Sequence, residues 1–296
     1  MGIARRLSFL GVFVLGTAVL FPNAAASQEA AAPVQPTLSA AEMETFLLKA
    51  KITRLRDVGS GVTGSRKATL TDGRITHDAH IQTIDEAHAI FQAGRASEVN
   101  FKDSYRYNIA GYRLAQLVGL ATVPMSVARP VDGKNAAVTW WVDDVLMDEK
   151  VRLAKKTFGP SPDRTSKQIQ IMRVFDELIQ NKDRNQGNII WTKDWTMWLI
   201  DHTRAFRLGK GLVKPENLTR CDRGLLEHLR AITAESLAAA VGDSLNRGEQ
   251  EALLARRDLI VKHYEDRIAK LGEAVVLYEI SASSPTPTSA SATPAP

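Results

Sequence analysis

The sequence predicts an α+β protein with two lobes, a small antiparallel β-rich lobe (N-lobe) followed by a larger, mostly helical one (C-lobe). From residue 50 to about residue 145, short apolar runs are separated by turn residues, which is the pattern of strands. From residue 166 onward, apolar residues recur at helical spacing. One later segment, NIIWTKDWTMWLID, instead places two apolar runs around a Thr-Lys-Asp turn and predicts a hairpin. We therefore assign residues 45–145 to the N-lobe and residues 146–280 to the C-lobe.

The N-lobe pattern predicts five strands and one helix. The strands are AKITRLRDVG, KATLTDG, RITHDAHIQTI, TVPMSVARPV and NAAVTWWV. Asp72-Gly73 lies between the second and third strands and is a hairpin signal, because such residues accept the positive φ of tight turns. The helix is predicted over residues 104–118, with Asp103 or Ser104 as its N-cap.

In the C-lobe, IQIMRVFDELI predicts a helix because its apolar residues form one stripe at helical spacing. The stripe consists of Ile171, Val174, Phe175, Leu178 and Ile179. Before it, KKTFGPSPDRTS at residues 155–166 predicts a mobile surface connection. Three more helices are predicted over residues 223–232, 234–245 and 249–271.

The two ends of the chain predict export and disorder. Arg5 and Arg6, an apolar run at 7–21 and three alanines at 24–26 form the pattern of a secretory signal over residues 1–26. The apolar run is shorter than the roughly 20 residues of a membrane-spanning helix, so an uncleaved N-terminal anchor is the alternative. Cleavage would leave an exported chain, periplasmic or secreted. We expect disorder in the linker at residues 27–44 and in the Ser/Thr/Pro/Ala tail at residues 281–296.

Composition excludes several classes of function. The net charge of +5 is mild, and the sequence has no dense Lys/Arg block, so we expect no nucleic-acid partner. The only cysteine, Cys221, excludes an internal disulfide. No apolar run after the signal is long enough for a transmembrane span, so a hydrophobic core must stabilise the mature chain.

The polar stretch DRNQGN carries the strongest chemical signal. It places Asp183 five positions before Asn188, and Asp201 follows the predicted hairpin. Each residue alone is a common turn or cap residue. The three together match a phosphoryl-transfer site, in which one Asp serves the acceptor hydroxyl while an Asn and a second Asp hold Mg²⁺. Because a hairpin returns the chain to its origin, Asn188 and Asp201 are expected at adjacent strand ends.

VFDELIQNKDRNQGNI followed by WLIDHTRAF resembles the catalytic segment of the atypical kinases. This group includes the phosphatidylinositol 3-/4-kinase-like enzymes, the HipA-type Ser/Thr kinases and the secreted Fam20-type kinases, which share a loop of the form N-x-D-R-x-x-x-N. The likeness is specific over residues 174–206. It implies a bilobal kinase-like fold, ATP and Mg²⁺ or Mn²⁺ as cofactors, Asp183 as the catalytic Asp, and Asn188 and Asp201 as metal ligands. Arg184 would belong to the same catalytic loop and brace it.

The resemblance extends to a nucleotide site in the N-lobe. DVGSGVTGSRKATL contains Gly59, Gly61 and Gly64, which fit either an ordinary hairpin loop or a loop that covers nucleotide phosphates. TWWVDDV resembles the strand and hinge beside the adenine, with Trp141 near that pocket. The expected small-molecule partner is therefore a nucleotide.

One departure concerns the Lys–Glu pair that kinases carry on the third strand and the N-lobe helix. Gln82 and Asn108 occupy the positions predicted for these residues. A Gln82–Asn108 hydrogen bond would preserve the geometry without leaving a charge unpaired. The phosphate-binding cation would then come from Lys67, Lys102 or Arg106.

The sequence leaves three functions open. The first is an exported kinase-like phosphotransferase acting on a protein, lipid or small-molecule hydroxyl. The second is a pseudokinase-like module that binds a nucleotide or partner without catalysis, and the third is an adenylyl transferase on the same fold. His77 and His80 are predicted to face opposite sides of one strand, so that pair is not expected to form a metal site.

Overall fold

The structure is a computed structural model that describes residues 38–59, 64–93 and 96–280. The predicted signal at residues 1–26, most of the predicted linker, Gly61 and the tail at residues 281–296 lie outside these ranges. Within them, no helix combines the length and apolar character needed to cross a membrane. The described residues form a β-rich N-lobe and a mostly helical C-lobe, which confirms the predicted fold class.

The N-lobe is built on an antiparallel sheet. The strands of this lobe are β1 (Lys51–Asp57), β2 (Arg66–Thr71), β3 (Thr76–Gln82), β4 (Asp85–Ala93), β5 (Ala96–Ser104), β6 (Ser126–Ala128) and β7 (Ala137–Trp140). Five of them form one sheet in the order β1-β2-β3-β7-β6, and all five predicted strands are present. The predicted turn between β2 and β3 is confirmed, because the Asp72 carboxylate accepts hydrogen bonds from the backbone N–H groups of Arg74 and Ile75. Gly73 supplies a positive φ of 87° there.

The described part of the N-lobe contains two helices, whereas the sequence predicted one. α1 (Ala40–Lys49) begins at a capping box formed by Ser39 and Glu42, so the predicted disordered linker is wrong from residue 40 to residue 44. A Ser followed three residues later by Glu is the sequence pattern of such a capping box, and Ser39 and Glu42 have that spacing. α1 packs against β6 and β7 through buried Phe46, which contacts the Trp140 ring. The predicted helix is α2 (Arg106–Leu117).

The predicted N-cap of α2 is wrong for both candidates, because the N-cap position is Tyr105, which makes no side-chain cap hydrogen bond. The Ser104 hydroxyl accepts a hydrogen bond from the backbone N–H of Arg106. Asp103 does not cap the helix, because its buried carboxylate accepts a hydrogen bond from Arg204 instead. Before α2, β4 and β5 form a separate antiparallel ribbon that the sequence did not predict. Even its large apolar residues Ile90 and Val99 are exposed. The apolar alternation that predicts a half-buried strand therefore does not apply to this ribbon.

The C-lobe contains most of the helices. Its helices are α3 (Glu149–Ala154), α4 (Pro162–Ile179), α5 (Arg223–Ala231), α6 (Ala234–Val241), α7 (Arg247–Leu271) and α8 (Glu273–Val276). Its strands are β8 (Val145–Asp148), β9 (Ile189–Thr192), β10 (Met197–Leu199), β11 (Cys221–Asp222) and β12 (Leu277–Tyr278). The predicted hairpin is β9–β10, and β8 extends it to a three-stranded sheet in the order β10-β9-β8.

Two C-lobe boundaries differ from the prediction. The predicted mobile connection is wrong at its end, because α4 starts at Pro162 with Ser161 as a side-chain N-cap. The predicted helix over residues 234–245 is shorter as α6, because Gly242 adopts a positive φ of 49° and a 3-10 turn follows. Around these elements the core includes fully buried Trp191 and Phe175.

We expect the Cys221 thiol to be unreactive in the folded protein. Its side chain is buried, and burial, with the charge of Asp222, raises the pKa of the thiol well above its usual range. Because the thiolate is the nucleophile, the thiol stays protonated and shielded at neutral pH. An aromatic disulfide reagent should label no thiol in the native full chain and one thiol in guanidinium. Rapid native labelling would contradict this packing.

Candidate active site

The polar loop at residues 180–188 begins where α4 ends. Gln180 adopts the left-handed conformation, with a φ of 47°, and its backbone N–H donates to α4 carbonyls, which terminates the helix. The Asn181 side-chain oxygen then accepts a hydrogen bond of 3.0 Å from the backbone N–H of Asp183. This short turn leads from α4 into the part of the loop that carries Asp183 and Asn188.

Arg184 fixes the loop to three separate parts of the C-lobe. Its guanidinium binds the Asp176 carboxylate on α4 through Nε and Nη2, at 3.0–3.2 Å. Its Nη1 donates to the backbone carbonyls of Asn188, at 3.0 Å, and Ile200, at 2.7 Å. The Arg184 side chain is 7% exposed and fully engaged by these partners. Arg184 therefore holds the loop and both ends of the hairpin in register.

The hairpin brings Asn188 and Asp201 together, as the sequence predicted. Asn188 immediately precedes β9, Asp201 follows β10, and the backbone N–H of Ile200 donates to the Asn188 carbonyl at 3.1 Å. The side-chain nitrogen of Asn188, Nδ2, donates a hydrogen bond of 3.3 Å to the backbone carbonyl of Asp183. Asp201 has a positive φ of 54°, and its Oδ1 accepts a hydrogen bond from the Thr203 hydroxyl at 3.0 Å. Among the described residues, the Asn188 side-chain oxygen and Asp201 Oδ2 have no hydrogen-bond partner, so both are available for a ligand.

Arg204 joins the site, although the sequence did not point to it. Its guanidinium lies 2.8 Å from Asp103 and 3.5 Å from Asp183. Burial raises the pKa of Asp183 above the ordinary aspartate value; Arg204 opposes this shift, and the Asp201 and Asp103 carboxylates add to it. Burial lowers the pKa of Arg204, but Asp103, Asp183 and Asp201 together raise it above its usual value. Asp103 and Arg204 are 101 positions apart, so no local pattern reveals their contact.

The two lobes enclose a cavity of about 460 Å³ above these residues. The N-lobe lines it with Ser65, His80, Asn108 and Trp141, among others. The C-lobe lines it with Asn188 and Asp201, among others. This volume lies within the range of about 300–1,000 Å³ that is typical of small-molecule sites.

The predicted Gln82–Asn108 hydrogen bond is wrong, because each side chain has a different partner. The Gln82 side-chain oxygen accepts hydrogen bonds from the backbone N–H groups of Thr83 and Ile84, and its nitrogen donates to Ser65. The Asn108 oxygen accepts a hydrogen bond of 2.8 Å from the backbone N–H of His202. Asn108 therefore ties α2 to the segment that carries Asp201.

Each of the three cations considered from sequence has an acidic partner. Lys67 forms an ion pair of 2.7 Å with Asp78 and lies 4.1 Å from the centroid of the Trp141 ring. Lys102 binds buried Glu249 on α7 at 2.8 Å. Arg106 is 3.7 Å from Asp85 at the start of the β4–β5 ribbon.

Three histidines near the site have different environments. His80 lies on β3 and lines the cavity, while His77 stacks on Trp140 with ring centroids 3.7 Å apart. Burial lowers the pKa of His80, and the charge of Asp201 opposes that shift. Burial and the charge of Arg184 hold the pKa of His202 well below its usual range, so both His80 and His202 are neutral at pH 7.

Of the predicted glycine loop, Gly59 and Gly64 are described. Gly59 follows β1, and Gly64 precedes β2 with a positive φ of 64° that suits glycine. The backbone N–H of Val58 donates to the Ser65 carbonyl, which closes the base of the loop. Val58 and Ser65 both line the cavity, so this base lies at its wall.

The donor set suits a hard divalent cation shared with a phosphate ligand. Within the described ranges, no three His, Cys, Asp or Glu side chains gather closely enough to hold a metal by themselves. Asn188 and Asp201 supply two oxygen donors at adjacent strand ends. Mg²⁺ commonly uses only one or two protein carboxylates, with phosphate and water completing its shell. The residues therefore fit a metal that arrives with a nucleotide.

Comparisons with known proteins agree with this architecture. No protein-family profile matches the sequence, and no curated protein is significantly similar to it. The structure of hydra Fam20 with sugar has a TM-score of 0.62 at 14% identity, over 82% of this chain and 93% of that chain. The Golgi casein kinase has a TM-score of 0.57 at 13% identity, over 83% of this chain and 80% of that chain.

A second structure of the Golgi casein kinase, with Mn/ADP bound, has a TM-score of 0.55 at 14% identity, over 79% of this chain and 78% of that chain. Identities this low establish the fold alone. The chain has the bilobal fold of the atypical kinases, and the resemblance seen in the sequence is confirmed at that level.

We expect Asp176→Asn to destabilise the protein by about 3 kcal/mol, because it leaves the buried Arg184 charge without a counterion. Urea unfolding of the full chain should show this loss. Asp266→Asn is the matched control, because its exposed pair with Lys262 contributes less than about 0.5 kcal/mol. Equal stability of the two variants would contradict the bracing role of Arg184.

Proposed function

We propose that this protein is an exported, ATP-dependent phosphotransferase. The observation that carries the proposal is that Asn188 and Asp201 line one cavity of a kinase-like fold, while Asp183 lies beside them and accepts a hydrogen bond at its backbone carbonyl from the Asn188 side chain. A purely structural loop would need no such set of oxygen donors beside a cavity of nucleotide size.

In the proposed reaction, Asp183 orients the acceptor hydroxyl and receives its proton. The hydroxyl oxygen attacks the γ-phosphorus of ATP, a new O–P bond forms, and the bond to the β-phosphate oxygen breaks to release ADP. Arg204 lies 3.5 Å from Asp183 and holds this carboxylate in place. The raised pKa of Asp183 makes it a better proton acceptor than an ordinary aspartate.

Asn188 and Asp201 would hold Mg²⁺ or Mn²⁺ through their uncommitted side-chain oxygens. A bound divalent cation neutralises charge that develops on the transferred phosphoryl group. Arg184 positions both ligands indirectly, by binding the backbone carbonyls of Asn188 and Ile200. Trp141 and the base of the glycine loop at Gly59 and Gly64 would contact the adenine and phosphate ends of the nucleotide.

The proposed location follows from the N-terminal signal pattern at residues 1–26. The acceptor would be a hydroxyl on a protein, lipid or small molecule. One structural neighbour is named for the Golgi, a compartment of the secretory route, and this supports the proposal of an exported enzyme.

We expect ATP with Mg²⁺ or Mn²⁺ to raise the melting temperature of the full chain. At 100 times the dissociation constant, a ligand stabilises by about 2.7 kcal/mol, which corresponds to a shift of roughly 5–10 °C. Asp201→Ala should lose the metal-dependent part of the shift, whereas the exposed control Asp266→Ala should keep it. If no nucleotide shifts the wild type under any metal condition, the proposal is wrong.

We expect Asp183→Asn to retain nucleotide binding but to lower ATP turnover, with water as acceptor, by about a hundredfold or more. The amide keeps the shape of the carboxylate but accepts no proton. Product analysis separates the alternatives. ADP and phosphate support phosphoryl transfer, AMP and pyrophosphate indicate adenylyl transfer, and tight binding without turnover indicates a pseudokinase-like module.

A further inference from the structure

An N-lobe side chain on β3 can contact a nucleotide phosphate only if it lies on the face of the strand that lines the cavity. Along β3, His77, Ala79 and Ile81 are buried beneath the sheet. The alternation of a strand places Asp78, His80 and Gln82 on the opposite face. His80 pairs in register with Lys67 on β2 and with Thr139 on β7, so it occupies the middle of the sheet above the cavity.

The neighbours of His80 on this face have other partners. Asp78 binds Lys67 and the Thr69 hydroxyl. Gln82 is 1% exposed and contacts Ser65 and its own downstream backbone. Lys67 is drawn toward the hinge by Asp78 and the Trp141 ring.

His80 is different, because its ring nitrogens form no hydrogen bond with any described residue while the ring lines the cavity that contains Asn188 and Asp201. His80 lines this cavity from β3 in the N-lobe, whereas Asn188 and Asp201 line it from the C-lobe hairpin. The His80 ring nitrogens are not among the described buried polar atoms that lack a partner, so they are open to the cavity and a ligand can reach them.

We propose that His80, rather than Gln82, is the N-lobe residue that contacts the nucleotide phosphates, an inference that rests on the proposed function. Its ring N–H donates a hydrogen bond to a phosphate oxygen from the side of the cleft opposite Asn188 and Asp201. An imidazole N–H can donate this bond without the permanent charge of a strand lysine. The sequence pattern did not reveal this role, because it placed the kinase lysine two positions later.

The test compares ATP with adenosine, since only ATP carries the phosphates that His80 would contact. Titration calorimetry of the full chain with Mg²⁺ gives the ratio of the two affinities. His80→Ala should lower that ratio about tenfold or more, the value expected for a hydrogen bond to a charged group, and leave adenosine affinity unchanged. His80→Lys should restore the ratio. His88→Ala, on the exposed β4–β5 ribbon, is the matched histidine control and should keep the wild-type ratio.

Three results would overturn the inference. The first is a wild-type ratio in folded His80→Ala. The second is a ratio that Lys67→Ala lowers and His80→Ala does not, which would assign the phosphate contact to Lys67. The third is a ratio lost in His80→Ala that lysine does not restore, which would indicate a packing defect. A wild type that binds neither ATP nor adenosine would instead overturn the proposed function as well, and so the two failures are distinguishable.

Discussion

The site depends first on the buried ion pair between Arg184 and Asp176. Arg184 compensates the Asp176 charge and at the same time donates to the carbonyls before β9 and after β10. A bare charge at this depth would cost several kcal/mol, so the pair is stable only with its full set of hydrogen bonds. Those bonds fix where Asn188 and Asp201 lie. One arginine thus converts a polar loop into a defined arrangement of oxygen donors.

The segment after Asp201 is held by the same end of α4. The backbone N–H of Phe206 donates to the Ile179 carbonyl at 2.6 Å, and Glu177 accepts hydrogen bonds from the backbone N–H groups of Val213 and Lys214. Fully buried Arg256 on α7 donates to the carbonyls of Leu178 and Arg207. Hydrogen bonds between buried polar groups and backbone carbonyls rigidify a structure. The chain on both sides of Asp201 is therefore anchored to a helix that the apolar stripe made predictable.

Sequence reasoning found what depends on short-range patterns. The five sheet strands, the hairpin and the DRNQGN loop follow from periodicity and turn chemistry, and the separation of Asp183, Asn188 and Asp201 could be converted into proximity because a hairpin joins them. It missed contacts made across long separations, such as Asp103 with Arg204. It also paired Gln82 with Asn108, because a pattern cannot specify which way a side chain on a strand is turned. The capping box of α1 was visible, but it was overlooked inside a segment rich in alanine and proline.

The contacts between α2 and the segment after Asp201 explain why this chain can do without the Lys–Glu pair. In kinases that pair both binds phosphate and couples the N-lobe helix to the active site. Here Asn108 couples α2 to His202 through a neutral hydrogen bond, and Gly111 allows close packing, since a Cβ there would lie 3.1 Å from the His202 ring. Because no carboxylate on α2 needs a counterion, the strand needs no lysine to balance it. Coupling and phosphate contact are therefore separate tasks in this chain, and we propose that His80 on β3 performs the second.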